Sequence, residues 1–376
     1  MKTKFLGSVS LFSLPFLLTP AAFATGITPG DLVVVQVGAT GSVTALAGTA
    51  TATFLDEYTP TGTLVQQIAL PTSASGSSDA LTLSGTSTAE GFLSISSDGN
   101  YLTLGGYNQI VGGTTAANAA SAVNRVVGLV NISTGSADTT TALSSGTSGN
   151  IRSVATANGS SFYVASSSAG VGYVGTFGSV TSALQLSTTP VNTRVVNISG
   201  GQLYVSSSSG TFLGLSTIGS GLPTTAGQTT TGLAGFPTSG THSSYDYWFA
   251  NSSTVYVADD GSAAAGGGIQ KWTLSGGTWS LQYTLLNNGT STTDVRGLTG
   301  EIVGGNTELF GTTSTTSLIE VTDTGAGSSD TVLATAGANT AFRDVVLVPN
   351  VVPEPSTLAL LGLGAAGLFF LRRRKA

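Results

Sequence analysis

From about residue 30 to residue 350 the chain alternates short apolar runs with stretches of Gly, Ser, Thr and Asn. Asp31–Val37, Thr53–Tyr58, Leu64–Leu70, Tyr101–Leu104, Phe162–Val164, Leu203–Val205, Val255–Val257, Ile269–Leu274 and Trp279–Leu285 are such runs, rich in β-branched and aromatic residues. They are short and bounded by turn formers, which predicts strands rather than helices. Asp98-Gly99-Asn100 precedes Tyr101, Asn158-Gly159 precedes Phe162, and Gly200-Gly201 precedes Leu203. A strand, a Gly/Asn turn and a second strand make a β-hairpin.

A longer period overlies the hairpins. Ile151-Arg152-Ser153-Val154, Thr193-Arg194-Val195-Val196, Val295-Arg296-Gly297-Leu298 and Phe342-Arg343-Asp344-Val345 repeat one context at intervals of 42, 102 and 47 residues. Tyr245-Asp246-Tyr247-Trp248 fills the middle of the long interval, and Gly91-Phe92-Leu93-Ser94-Ile95 supplies one more slot upstream. Units of roughly 40–50 residues with about four strands each predict an all-β, six-bladed β-propeller. Five or seven blades remain open if the 92–149 segment divides differently. The last slot has no room for a second strand before Pro349. The N-terminal strands must therefore complete its blade, which closes the ring and leaves no open edge. A β-helix would show a period near 20–25 residues, and none is present. The body looks like a generic propeller. It has no WD dipeptide, and Ser97-Asp98-Gly99-Asn100 is only a partial Asp-box.

Composition narrows the chemistry. Only 8% of residues are charged while 40% are hydrophobic, which excludes a disordered chain of the usual kind. Cys is absent and His242 is the single histidine, so thiolate sites, disulfides and paired-histidine sites are excluded. Of the 12 basic residues, Lys2, Lys4, Arg372, Arg373, Arg374 and Lys375 lie at the ends, leaving an acidic body that argues against nucleic-acid binding.

The ends carry addresses. Residues 1–24 read as a signal peptide for Sec export: Lys2 and Lys4, an apolar stretch from Phe5 to Leu18, then Ala22-Phe23-Ala24. A propeller domain over 25–350 and a sorting and anchor segment over 351–376 follow. The tail has Pro353-Glu354-Pro355, an apolar run from Leu358 to Leu371, and a cap of Arg372, Arg373, Arg374 and Lys375. As a helix the run would be about 21 Å long, short of a ~30 Å hydrocarbon core unless the arginines snorkel or the bilayer thins. The cationic cap fixes the cytoplasmic end.

This tripartite tail resembles the PEP-CTERM sorting signal of Gram-negative bacteria. The resemblance implies a transient inner-membrane anchor by a C-terminal apolar helix and processing near Pro-Glu-Pro by an exosortase. It also implies delivery to the cell surface or extracellular matrix, and an association with exopolysaccharide and biofilm. It implies no chemistry for the body.

Within the propeller, Arg152, Arg194, Arg296 and Arg343 are expected at one height around the axis. Two roles are open to them. They hold an anion such as a uronate or phosphate, or each braces a neighbouring blade through a backbone carbonyl or through Asp31, Asp294 or Asp344. Tyr245 and Trp248 are the aromatic candidates for glycan contact. Asp259 and Asp260 are the candidates for a Ca²⁺ loop, with a solvated turn as the alternative; no other cofactor is expected. Asp56 and Glu57 are adjacent on a strand and cannot flank one glycosidic bond. A catalytic triad would need His242, and nothing marks its partners. The expectation is a non-enzymatic binding or matrix protein, with a polysaccharide hydrolase or lyase at the central channel as the alternative.

Overall fold

Each of the six slots marks the innermost strand of one sheet. The computed structural model describes residues 25–114, 123–287, 294–314 and 316–350. The signal peptide and the tail, with Pro353, Glu354, Pro355 and the basic cap Arg372–Lys375, lie outside the described residues.

From the axis outward, blade 1 runs Ser94–Ile95, Tyr101–Tyr107, Arg125–Asn131, Ala137–Ser145, with the short Val180–Ser182 added parallel as a fifth strand. Blade 2 runs Ile151–Ala155, Phe162–Ser166, Gly170–Val174, Leu184–Ser187. Blade 3 runs Val196–Ser199, Gln202–Ser209, Phe212–Ile218, Thr230–Gly232. Blade 4 runs Ser244–Asn251, Thr254–Asp259, Gly268–Ser275, Thr278–Leu285, and blade 5 Val295–Val303, Asn306–Thr313, Ser317–Thr322, Thr331–Thr335. Blade 6 is composite: Ala341–Leu347 is innermost, followed by Leu32–Val37, Thr53–Tyr58 and Leu64–Ala69. Its closing register pairs Leu32 with Leu347, Val33 with Val346 and Val34 with Val345.

The blade faces explain the apolar runs. Each sheet packs a neighbour on both sides, so inner strands are buried on both faces and do not alternate. All six residues of Leu32–Val37 are buried. Outermost strands face water, and four of the six residues of Leu64–Ala69 are exposed. The apolar core accordingly divides into six clusters. Leu55, Leu102 and Leu104 lie between blades 6 and 1, and Phe162 and Val127 between 1 and 2. Leu203 and Val171 join blades 2 and 3, and Trp272 and Leu215 join 3 and 4. Leu309 and Tyr256 join 4 and 5, and Phe310 and Leu32 join 5 and 6.

Candidate functional site

At the end of the channel where the inner strands begin, each blade contributes one residue: Phe92, Arg152, Arg194, Tyr245, Arg296 and Arg343. Phe92 and Tyr245 come from blades 1 and 4, which oppose each other in a six-membered ring. Their ring centroids are only 5.8 Å apart. They are 1% and 6% exposed, so an aromatic plug fills the axis at this level. Gly91 makes this possible. Its φ of +80° turns the chain so that Phe92 enters the channel, and a Cβ there would lie 2.6 Å from Leu83 Cδ1.

The four arginines flank the plug, and each braces a neighbour. Arg152 Nη1 donates to Thr193 O (2.9 Å) and to Asn192 Oδ1 (2.7 Å). Arg194 Nη1 donates to Ser244 O (2.9 Å) and Ser243 Oγ (3.1 Å), and its guanidinium lies 3.7 Å over the Tyr245 ring. In both cases the guanidinium reaches the carbonyl just before the next blade's ring residue. The Arg296 guanidinium lies 4.9 Å from the centroid of the same Tyr245 ring, pairs with Asp260 at 2.7 Å, and donates to Thr88 O. Arg343 Nη2 donates to Gly85 O at 2.8 Å. Bracing by carbonyls is therefore present in all four, but the one carboxylate partner is Asp260 rather than Asp31, Asp294 or Asp344.

The segment from Ser84 to Glu90 crosses the Arg296 and Arg343 side of this mouth. Glu90 is 1% exposed and accepts from Ser84 N (2.6 Å), Tyr107 OH (2.7 Å) and Asn150 Nδ2 (3.0 Å). Burial pushes its carboxyl up, and its hydrogen bonds and the Arg343 charge oppose this.

One residue further along the inner strands lies a second layer. Asp246 of blade 4 and Asp344 of blade 6 reach toward each other across Gly297 of blade 5. A Cβ at Gly297 would sit 2.1 Å from Asp344 Oδ1, so only glycine fits between them. Asp246 accepts from Tyr247 N (2.8 Å) and Leu298 N (3.0 Å), and Asp344 Oδ2 accepts from Leu93 N (2.6 Å). Burial raises both carboxyls, and the Asp246 charge raises Asp344 further. Strand pleat alone did not reveal this layer in the sequence, because acids two slots apart become neighbours only when the slot between them holds a glycine and the ring is closed.

Asp259 accepts from Ser243 N and Gly261 N, and Asp260 holds Arg296, so both carboxylates face donors. Among the described residues no group of three His, Asp or Glu is placed to hold a metal. His242 sits in the loop before blade 4, beside Gly240 and Gly266 and close enough to Asp259 to act on it. Asp56 and Glu57 are both buried and bond separately, to Gln67 and to Gln66 with Thr28 N. Burial lifts Asp56 to about 6.

The opposite mouth is open. A pocket of about 290 Å³ is lined by Ile95–Ser97, Asn197–Ser199, Tyr247–Phe249 and Pro349. Tyr245 and Trp248, grouped together by sequence, are separated: Tyr245 lies at the start of the strand Ser244–Asn251, at the plug, and Trp248 in its middle, bordering this pocket. Tyr247 borders this pocket but is only 3% exposed, and its buried hydroxyl faces the backbone of Asn197. Asn197 spends its Oδ1 on Ile198 N, which leaves the amide N–H groups. Among the described residues no Asp, Glu, Lys, Arg or His lines the pocket. Grooves of about 470 and 490 Å³ between outer strands, beside Gln185 and beside Tyr101, are shallower and offer no buried unpartnered group.

A polar cluster that the sequence did not signal joins blades 4 and 5. Tyr256, Lys271 and Tyr283 are in register on three adjacent strands and converge on Asp323, with Lys271 Nζ at 2.8 Å. Tyr256 OH donates to Asp323 at 2.6 Å and Tyr283 OH at 2.9 Å. The carboxylate is held below its usual range by these donors despite its burial.

Residues 351–375 match the PEP-CTERM protein-sorting motif. That motif implies processing by an exosortase and direction of the exported chain to the cell surface. No curated relative matches the chain. Among solved structures, a nidogen/laminin complex is 13% identical, with 84% of this chain and 97% of that chain covered and a TM-score of 0.44. The Cps50 (Swd1) β-propeller domain of Myceliophthora thermophila is 10% identical over 65% of this chain and 71% of that one, with a TM-score of 0.37. At these scores neither likeness bears on ligand or chemistry, and the propeller assignment rests on the six sheets themselves. Among the described residues no helix is long and apolar enough to cross a membrane, and the apolar run at 358–371 lies outside them. The chain is a six-bladed β-propeller that carries a PEP-CTERM sorting motif.

Proposed function

We propose that this protein is a non-enzymatic binding protein of the cell surface or extracellular matrix, and that it holds a neutral stretch of exopolysaccharide at the Trp248 mouth. Sec export, a transient inner-membrane anchor and a place in a biofilm matrix belong to this reading. The observation that carries it is the chemistry of the mouth. Trp248 and Phe249 offer aromatic faces, while Ser96, Ser97, Ser199 and Asn197 offer neutral hydrogen-bonding groups. Such a surface suits sugar rings, which present C–H faces and hydroxyl edges.

Hydrolase or lyase chemistry needs a general acid or base within reach of the substrate. The carboxyls nearest the axis, Asp246 and Asp344, are 3% and 0% exposed and are engaged with backbone N–H groups. Trp248→Ala is expected to weaken binding of residues 25–350 to the producer's exopolysaccharide by roughly tenfold, measured by affinity electrophoresis, since an aromatic contact contributes about 1–1.5 kcal/mol. Equal retention of both proteins by the polysaccharide gel would overturn this site.

A further inference from the structure

The guanidiniums at the other mouth are unevenly paired. Four meet there, and the carboxylates beside them are Glu90, Asp259 and Asp260. Asp260 is committed to Arg296. Glu90 is the attractive charge on Arg343. Asp259 is spent on backbone N–H groups of its own turn. Arg152 and Arg194 have no carboxylate in ion-pair contact among the described residues; Glu90 acts on Arg152, and Asp260 and Asp259 act on Arg194, only from beyond contact. They stand in consecutive blades and are stitched together. Arg152 Nη1 holds the carbonyl before Arg194, and Ser153 Oγ holds the carbonyl of Arg194 itself at 2.9 Å. Arg152 Nε is buried with no hydrogen-bond partner. Stacking on Tyr245 fixes the plane of Arg194. Burial first, and then the neighbouring Arg194 charge, lower Arg152 to about 10. Two like charges, partly desolvated and each with donors to spare, form an unfavourable arrangement unless an anion completes it.

We propose that Arg152 and Arg194 form a seat for one oxyanion group of the carboxylate or phosphate type, such as the acid group of a uronate or a phosphate substituent. Two guanidiniums in consecutive blades, neither in ion-pair contact with a carboxylate among the described residues, match one anionic group bridging them. The rigid guanidinium forks suit a planar or tetrahedral oxyanion, and both side chains are part-exposed, so the seat is open to solvent. This site lies at the opposite end of the axis from Trp248 and does not depend on the neutral-glycan reading.

The test is a thermal titration of residues 25–350 with galacturonate and, separately, inorganic phosphate, at ionic strength held constant with NaCl. A saturable rise in Tm of roughly 2–4 °C at tenfold excess over Kd is expected. A response to galacturonate alone identifies a carboxylate seat, and a response to phosphate alone a phosphate seat. Arg194→Gln keeps an N–H for Ser244 O but removes the charge, and should weaken the response at least tenfold, whereas Trp248→Ala should leave it unchanged. If Arg194→Gln does not fold, phenylglyoxal modification of the unaltered protein, read by peptide mass spectrometry, should show the anion protecting Arg152 and Arg194. No saturable response to either anion, an undiminished response in Arg194→Gln, or modification of both arginines at the same rate with and without anion would overturn the proposal.

Discussion

Ending the chain at Thr340 instead of Asn350 abolishes the cooperative fold. The missing strand, Ala341–Leu347, is the inner strand of blade 6, and with Val348 it feeds two of the six core clusters. Val346 and Val348 belong to the cluster shared with blade 1, and Phe342 and Val345 to the one shared with blade 5. Burying these four side chains contributes roughly 6–12 kcal/mol, at about 1.5–3 kcal/mol each. That rivals the whole net stability of a typical domain, about 5–15 kcal/mol. The loss also strips hydrogen-bonding partners from Leu32–Val37, which becomes an unpaired edge of apolar residues. Such an edge recruits other chains. The expected outcome by calorimetry and size-exclusion chromatography is a single unfolding transition for residues 25–350, and aggregation without one for 25–340. A monomeric 25–340 chain with a sharp transition would show that the ring does not depend on its closing strand.

That closure was legible in the sequence because the arithmetic of strands forced it. The last slot lacked a partner, and three N-terminal runs lacked a slot. Blade positions were legible for a related reason. A residue that must touch its counterpart in the next blade recurs at the blade period, so Arg152, Arg194, Arg296 and Arg343 announced the inner strands. What they do was less legible. Whether a ring encloses an open centre depends on the residues in the remaining slots. Phe92 and Tyr245 were recognised as slot residues, but nothing in the sequence shows two rings meeting at 5.8 Å across the axis. Trp248 was read together with Tyr245 because they are three residues apart, yet in an extended strand that separation spans about 10 Å, enough to place them at different mouths. The Lys271–Asp323 cluster depends on register between strands, which turn lengths and bulges set and residue types do not.

Asp344→Asn stabilises the protein at pH 8 and flattens its response to pH. Asp246 uses both oxygens to accept backbone N–H groups and so stays the acceptor of the pair. Asp344 accepts from Leu93 N through Oδ2. Its buried Oδ1 has no other partner and lies within reach of Asp246, so it carries the proton that joins them. Burial first, then the Asp246 charge, raises the Asp344 carboxyl far above its ordinary range. The folded chain therefore binds this proton more tightly than the unfolded chain. The stabilisation is complete below the unfolded value near pH 4 and is lost as pH rises through the folded one. Asp56, lifted to about 6, adds to the same trend at its lower end. The unaltered protein should thus lose Tm steadily between pH 5 and pH 8. An asparagine at 344 donates an N–H where the protonated acid donated its O–H, and it never needs to ionise. A gain of roughly 2 kcal/mol at pH 8 is expected, with little change at pH 5. Asp246→Asn should do the opposite, because its amide N–H₂ would face a backbone N–H; a loss of about 2–3 kcal/mol at both pH values follows. Urea denaturation of the three proteins at pH 5 and pH 8 reads all of this. Equal pH slopes in the unaltered protein and Asp344→Asn would mean that no proton is shared between these acids.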